Sequence, residues 1–154
     1  MTSDNQLEEN RSLVMAEIMT PDMANFHGNV HGGHILKLLD GVAYACASRY
    51  SGKYIVTLSV DQVIFKEPVH VGELVSFYAT VNYVGNTSME IGIRVIAENL
   101  ITQKKRHTNT SYFTMVALDE KGKPTKVQPL ELKTETEKRR YEEALVRKEK
   151  RSRK

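Results

Sequence analysis

The feature that most constrains this chain is a single change of period. From about Gly33 to Arg49 the apolar residues recur at helical spacing, and Ile35, Leu36, Leu38, Leu39, Val42, Ala43, Ala45 and Cys46 cover most of the circumference. Such a helix is expected to be largely buried. Ser51 and Gly52 stop it, and from there the alternation has a period of two. Tyr54 to Phe65 is rich in β-formers and ends at Pro68. Glu73 to Val84 places Val75, Phe77, Ala79, Val81 and Tyr83 on one face. Ser88 to Leu100 does the same with Met89, Ile91, Ile93, Val95 and Ala97, and Arg106 to Leu118 alternates again. Turns are expected at His70–Gly72, Gly85–Thr87, Gln103–Lys105 and Asp119–Pro124. One buried helix followed by a meander of strands about twice the usual five or six residues long has an economical solution. The expectation is an α+β fold in which a long antiparallel sheet curls around the helix and each buries its apolar face on the other.

The flanks are simpler. Ser12 to Thr20 alternates loosely and predicts a short first strand ended by Pro21, and Pro21 to Gly33 reads as a loop. After Pro129 the chain turns helical, with Thr134 and Glu137 as a capping box and a thin apolar stripe of Tyr141, Leu145 and Val146. That stripe is too narrow for a core helix, so it is expected outside the domain or on a neighbour. The division is thus residues 1–130 as the main domain and 131–154 as a helical tail.

A length of 154 residues with 40% hydrophobic content supplies one core. No apolar run nears the roughly 20 residues of a membrane span, and the polar, acidic stretch from Met1 to Asn10 is not a secretory signal. The single cysteine, Cys46, excludes an internal disulfide and fits a reducing, cytoplasmic setting. The net charge of +3 comes from the tail: residues 131–154 hold ten Lys/Arg against six Glu, a net of +4, which leaves about −1 for everything before them. A basic tail on a nearly neutral body suggests phosphate contact, with a solvated terminus as the alternative. It lacks interleaved aromatics beyond Tyr141, so nucleic acid is not the expected partner.

The richest stretch for chemistry runs from Asn25 to His34 into the helix. Gly32 and Gly33 leave the first helical amides without side-chain cover, and the helix dipole favours negative charge there, which is what an oxyanion hole requires. Glycine pairs also open helices for packing reasons alone. Asp40, mid-helix between Leu39 and Gly41, is expected to be buried, and is either catalytic or satisfied by a nearby hydroxyl or amide. Gly33 and Asp40 lie two turns apart, about 10 Å along the axis. One helix therefore cannot bring both to one carbonyl, and a site using both needs a second helix and a dimer. His27, His31 and His34 lack a carboxylate or cysteine at ligand spacing, so no metal site is expected. Cys46 lies on the buried helix without an obvious base, which argues against a nucleophile. No dinucleotide fingerprint, phosphate-binding loop or nucleophile elbow is present.

Taken together, Asn25, Gly28-Asn29-Val30-His31-Gly32-Gly33-His34-Ile35-Leu36 and Asp40 resemble the acyl-CoA thioesterase (acyl-CoA hydrolase) family of hot-dog proteins. The similarity continues through Phe65-Lys66-Glu67-Pro68-Val69, Val71-Gly72-Glu73, Val84-Gly85-Asn86-Thr87-Ser88-Met89-Glu90 and His107 to Asp119, covering roughly residues 12–130. The resemblance implies hydrolysis of fatty acyl-CoA to free acid and CoA, with Asn25 and Asp40 as the catalytic pair drawn from two subunits. It implies a homo-oligomer, a dimer at minimum and usually a trimer of dimers, and no cofactor, since CoA is part of the substrate. CoA-contacting positions map onto Leu58, Ser59 and Val60, onto Thr87, Ser88 and Met89, and onto Arg147 and Lys148 in the tail. Two rival readings stand beside it: a hot-dog hydratase or dehydratase using His27 or His31 with Asp40, and a non-catalytic acyl-CoA-binding regulator.

Overall fold

The computed structural model describes residues 10–61 and 63–153. The reading of Met1 to Asn10 falls almost wholly outside them, as does the last base of the tail. The elements are β1 (Ser12–Ile18), a short 3-10 turn at Pro21–Met23, α1 (Gly32–Ser51), β2 (Tyr54–Asp61), β3 (Leu74–Val84), β4 (Ser88–Glu98), β5 (Lys105–Leu118) and α2 (Glu135–Ser152). The five strands form one antiparallel sheet in the order β1-β3-β4-β5-β2. It wraps α1 as the change of period predicts.

Parity decides the core. Val75, Phe77, Ala79 and Val81 of β3, Met89, Ile91, Ile93, Val95 and Ala97 of β4, and Phe113, Met115 and Ala117 of β5 meet Ile35, Leu39, Val42, Ala43, Cys46 and Ala47 of α1. All are buried, the condition under which apolar area contributes most. Gly52 closes α1 in the left-handed conformation, φ 68°, donating its amide to Ser48 O at 2.7 Å.

Three irregularities interrupt the ladder: the β4–β5 register slips at Thr108, and the other two shift side chains near the site. In β2 the pairing slips between Thr57 and Ser59, so Leu58 is an extra residue. Thr57 and Val60 thereby turn toward α1, while Leu58 and Ser59 look out from the other face. In β3 the slip lies between Val81 and Tyr83, so Tyr83, expected on the face of Val75 to Val81, instead joins Asn82 on the outer face. β2 is also shorter than the pattern suggests. It stops at Asp61, and Ile64 and Phe65 leave the ladder: Asn109 Nδ2 donates to Ile64 O, and the Lys66 amide to Thr108 O.

The tail helix packs outside the sheet, but not on the expected stripe. Ala144 is its buried residue, Tyr141 leans on Tyr83 with ring centroids 5.0 Å apart, and Arg147, Lys148 and Arg151 also face the sheet. Leu145 and Val146 point away. The sheet offers Glu90 and Asp61 on this face, and carboxylates draw the cations inward. The Thr134 cap forms, its hydroxyl accepting the Glu137 amide, while the Glu137 carboxylate reaches back to the Lys133 amide and to Arg11.

Candidate active site

The loop before α1 is held by its own side chains. Asn25 Oδ1 accepts the amides of His27 and Asn29 at 2.9 and 3.1 Å. Bridges Ala24–Val30 and Asn29–His70 tie the loop to itself and to the turn before β3. With its carbonyl oxygen committed inward, Asn25 has only its Nδ2 amide left to offer a ligand, and among the described residues that amide has no acceptor.

The helix start corrects one expectation. His31 is the N-cap, and its Nδ1 accepts the Gly33 amide at 3.0 Å, so Gly33 N–H is not bare. The amides of His34 and Ile35 both go to His31 O. Gly32 N–H is left as the amide without an acceptor among the described residues. The three histidines have separate environments: His27 is exposed, His31 caps the helix, and His34 Nε2 is enclosed without a partner. No group of three or more His, Cys, Asp or Glu side chains among the described residues is arranged to hold a metal ion.

Asp40 is a second correction. It is exposed, on a strip of α1 that also leaves Leu36 and Tyr44 40% and 47% accessible. The Thr57 hydroxyl donates to Asp40 Oδ1 at 2.7 Å, and Oδ2 has no partner among the described residues. Thr57 was not a sequence candidate; its signal was only that a mid-helix Asp requires a hydroxyl or amide nearby. Gly33, Leu36, Lys37, Asp40, Val60 and Phe113 line a shallow cavity of about 390 Å³. Asn25 is not part of that lining.

Cys46 lies one and a half turns further along α1, in the core. Burial pushes its thiol up to about 12, with Arg49 opposing only in part, so it stays protonated and inert at neutral pH.

On the other face of β2, a cavity of about 380 Å³ gathers Leu58, Ser59, Ser88, Met89 and Lys148, together with Tyr83, Glu90, Thr114, Arg151 and Ser152. Five of the eight predicted coenzyme positions therefore share one space. Ser59 Oγ and Thr114 Oγ1 are enclosed yet have no protein partner. Met89 is wholly buried and belongs to the floor. Val60 lies in the Asp40 cavity instead, because of the slip at Leu58. Thr87 sits in the turn before β4 and gives its carbonyl to the Ala117 amide. Arg147 departs most from expectation. It turns under α2 into a paired, stacked contact, and the cations facing the cavity are Lys148 and Arg151, of which the sequence reading named only the first.

Residues 27–102 match the model of the thioesterase superfamily. The chain is 38% identical to a protein solved as an apo-hexameric acyl-CoA thioesterase, with a TM-score of 0.90 over 94% of this chain and 93% of that one. The chain belongs to the acyl-CoA hydrolases of the thioesterase superfamily. Its fold is accordingly the hot-dog fold. Protein VdlD of Helicobacter pylori shares 55% identity over 92% of this chain and 80% of its own length. An acyl-CoA hydrolase of Staphylococcus aureus, solved with butyryl-CoA, CoA and CoA disulfide, is 30% identical, with a TM-score of 0.86 over 95% of this chain and 88% of that one. That hydrolase has also been solved as variants in which one Asp, one Asn or one Thr is replaced by alanine.

Proposed function

We propose that the protein hydrolyses fatty acyl-CoA in the cytoplasm, with Asp40 as general base and with Asn25 Nδ2 and the Gly32 amide as oxyanion donors from the partner's loop and helix. The observation that carries this reading is the placement of Asp40. It stands on the open face of α1, oriented by Thr57, in a cavity that also contains Gly33 of its own helix start. The Asn, Asp and Thr replaced in the S. aureus enzyme are spaced along its sequence as Asn25, Asp40 and Thr57 are here, which supports assigning the three to one site.

The chemistry needs no metal. Asp40 Oδ2 takes a proton from water as the water oxygen attacks the thioester carbonyl. Negative charge collects on the carbonyl oxygen, where Asn25 and Gly32 donate to it. The C–S bond then breaks, and the proton returns from Asp40 to the leaving thiolate. Gly33 takes no direct part while His31 holds its amide. The second cavity receives the coenzyme: Ser59 and Thr114 offer unpartnered hydroxyls, and Lys148 and Arg151 offer charge to phosphates. The two cavities lie on opposite faces of β2 near its end, so the substrate passes around that end. A second copy paired along β2 brings the donors of one chain to the Asp40 of the other. Three such dimers would match the hexameric relative.

The test is thiol release from acetyl- to palmitoyl-CoA. Asp40→Ala should abolish nearly all turnover while CoA still binds, and wild-type turnover in that variant would end the proposal. Asn25→Ala should cost on the order of 100-fold in kcat, the loss of one oxyanion donor. Thiol release also separates hydrolysis from a hydratase or a non-catalytic regulator, neither of which liberates CoA.

A further inference from the structure

Glu90 is a buried carboxylate that the mechanism above does not use. It is 2% exposed on β4 and faces α2. Its oxygens accept Arg147 Nε at 2.7 Å and Nη2 at 2.8 Å, a side-on bidentate pair, and Oε2 also accepts Asn82 Nδ2 at 3.0 Å. Arg147 in turn lies flat over Tyr112, 3.6 Å from the ring centroid. The planar fork and the stacked ring fix both the height and the rotation of α2 at this residue, more tightly than an apolar contact can. Lys148 is the next residue, reaching Tyr83 Oη at 3.0 Å, and Arg151 is one turn further, paired with Asp61 at the end of β2. Both cations thus ride on the helix that Glu90 holds through Arg147, and each is then aimed by its own partner on the sheet, Tyr83 and Asp61.

We infer that Glu90 is a positioning residue for recognition of the coenzyme: through Arg147 it clamps the C-terminal helix on the sheet so that Lys148 and Arg151 meet the phosphates. The inference rests on the proposed reading of the second cavity, and it separates the molecule into a hydrolytic part and an affinity part. Weakening the clamp lowers affinity for the phosphate-bearing portion of the substrate and leaves the bond-breaking step alone.

The experiment compares one acyl group carried on CoA and on pantetheine, which lacks the nucleotide phosphates. In Glu90→Gln, which keeps the shape and removes the charge, KM for acyl-CoA should rise about tenfold with kcat within about twofold, and acyl-pantetheine kinetics should not change. Amides of residues 141–151 should exchange faster. Glu90→Met with Arg147→Met replaces the ion pair by apolar contact of similar volume and is expected to fold. It should show the same split, so the reasoning does not depend on Glu90→Gln being stable. An unchanged KM for acyl-CoA in both variants, or an equal loss on both substrates, overturns the inference. If the wild-type protein cleaves neither substrate, the hydrolase reading itself fails. If it cleaves both with equal KM, the coenzyme assignment of the cavity fails and the inference falls with it.

Discussion

Gly92 offers a quantitative test of the outer-face network. A Cβ built on it would lie 2.5 Å from Asn82 Nδ2, 3.3 Å from its Cγ and 3.4 Å from its Oδ1. The amide that must move is the one donating to Glu90, and both residues are buried. Moving it far enough to relieve the overlap breaks that bond and leaves a second enclosed polar atom beside Asn82 Oδ1, which already has no partner. Overpacking costs about 1–3 kcal/mol, and an orphaned donor about 1–3 kcal/mol. Replacing a strand glycine returns about 0.5–1 kcal/mol. Gly92→Ala should therefore destabilise by about 1–5 kcal/mol. In an Asn82→Ala background the obstructing amide is gone, and the same substitution should be close to neutral. Urea denaturation followed by circular dichroism at one fixed protein concentration gives the four stabilities of this cycle. The same penalty in both backgrounds would refute the account, because it would place the clash somewhere other than Asn82.

Three further outcomes follow. Cys46, with its thiol pushed up to about 12 by burial, should resist iodoacetamide in the native protein and react on unfolding, as mass spectrometry would show. Burial works against the Glu137 carboxylate, but the Lys133 amide, Arg11 and the Thr134 amide outweigh it and hold the pKa below the ordinary 4.5. Its stabilisation is therefore present above about pH 4.5 and lost as pH falls through the depressed value. Glu137 is partly exposed, so Glu137→Gln should lower stability at pH 7 by no more than about 1 kcal/mol, with wild type and variant converging once the carboxyl is protonated in acid. If copies pair along the β2 edge as proposed, Val56→Lys should reduce the assembly to smaller species by light scattering and remove most turnover. Full activity in a monomeric Val56→Lys protein would contradict the shared site.

The sequence made the layers legible because parity holds along most of β3, β4 and β5, where a residue either reaches α1 or does not. It failed where one residue changed that parity. The extra Leu58 sends Val60 to the Asp40 cavity and Ser59 to the other, and no pattern of hydropathy marks the slip. The face of α2 was misread for a related reason. Leu145 and Val146 look like the buried stripe until Glu90 and Asp61 are known to lie opposite, since a buried carboxylate attracts arginine more strongly than a methyl group repays leaving water. Asn25, Asp40 and the glycine pair were visible as a group. The capping of Gly33 by His31 was not, because it depends on the ring torsion of one residue.

The apolar circumference of α1 was misjudged in an informative way. Leu36, Tyr44 and Asp40 share a strip that the protomer does not cover, and it runs beside β2, where Tyr54, Val56, Leu58 and Val60 are also exposed. β2 is an edge of the sheet with apolar side chains along it, no proline within it and its one charge at the last position. Such an edge invites pairing. Under the proposed pairing of copies, a helix apolar over most of its circumference describes a surface covered from two sides, by its own sheet and by another chain. Hydropathy reads both as burial and cannot divide them. The carboxylate falls on the strip that such a partner would cover, which is why it looked misplaced in the sequence. Its cost is met by Thr57 and by water in the free protomer, and the contact that protects the β2 edge is the one that would close the cavity around it.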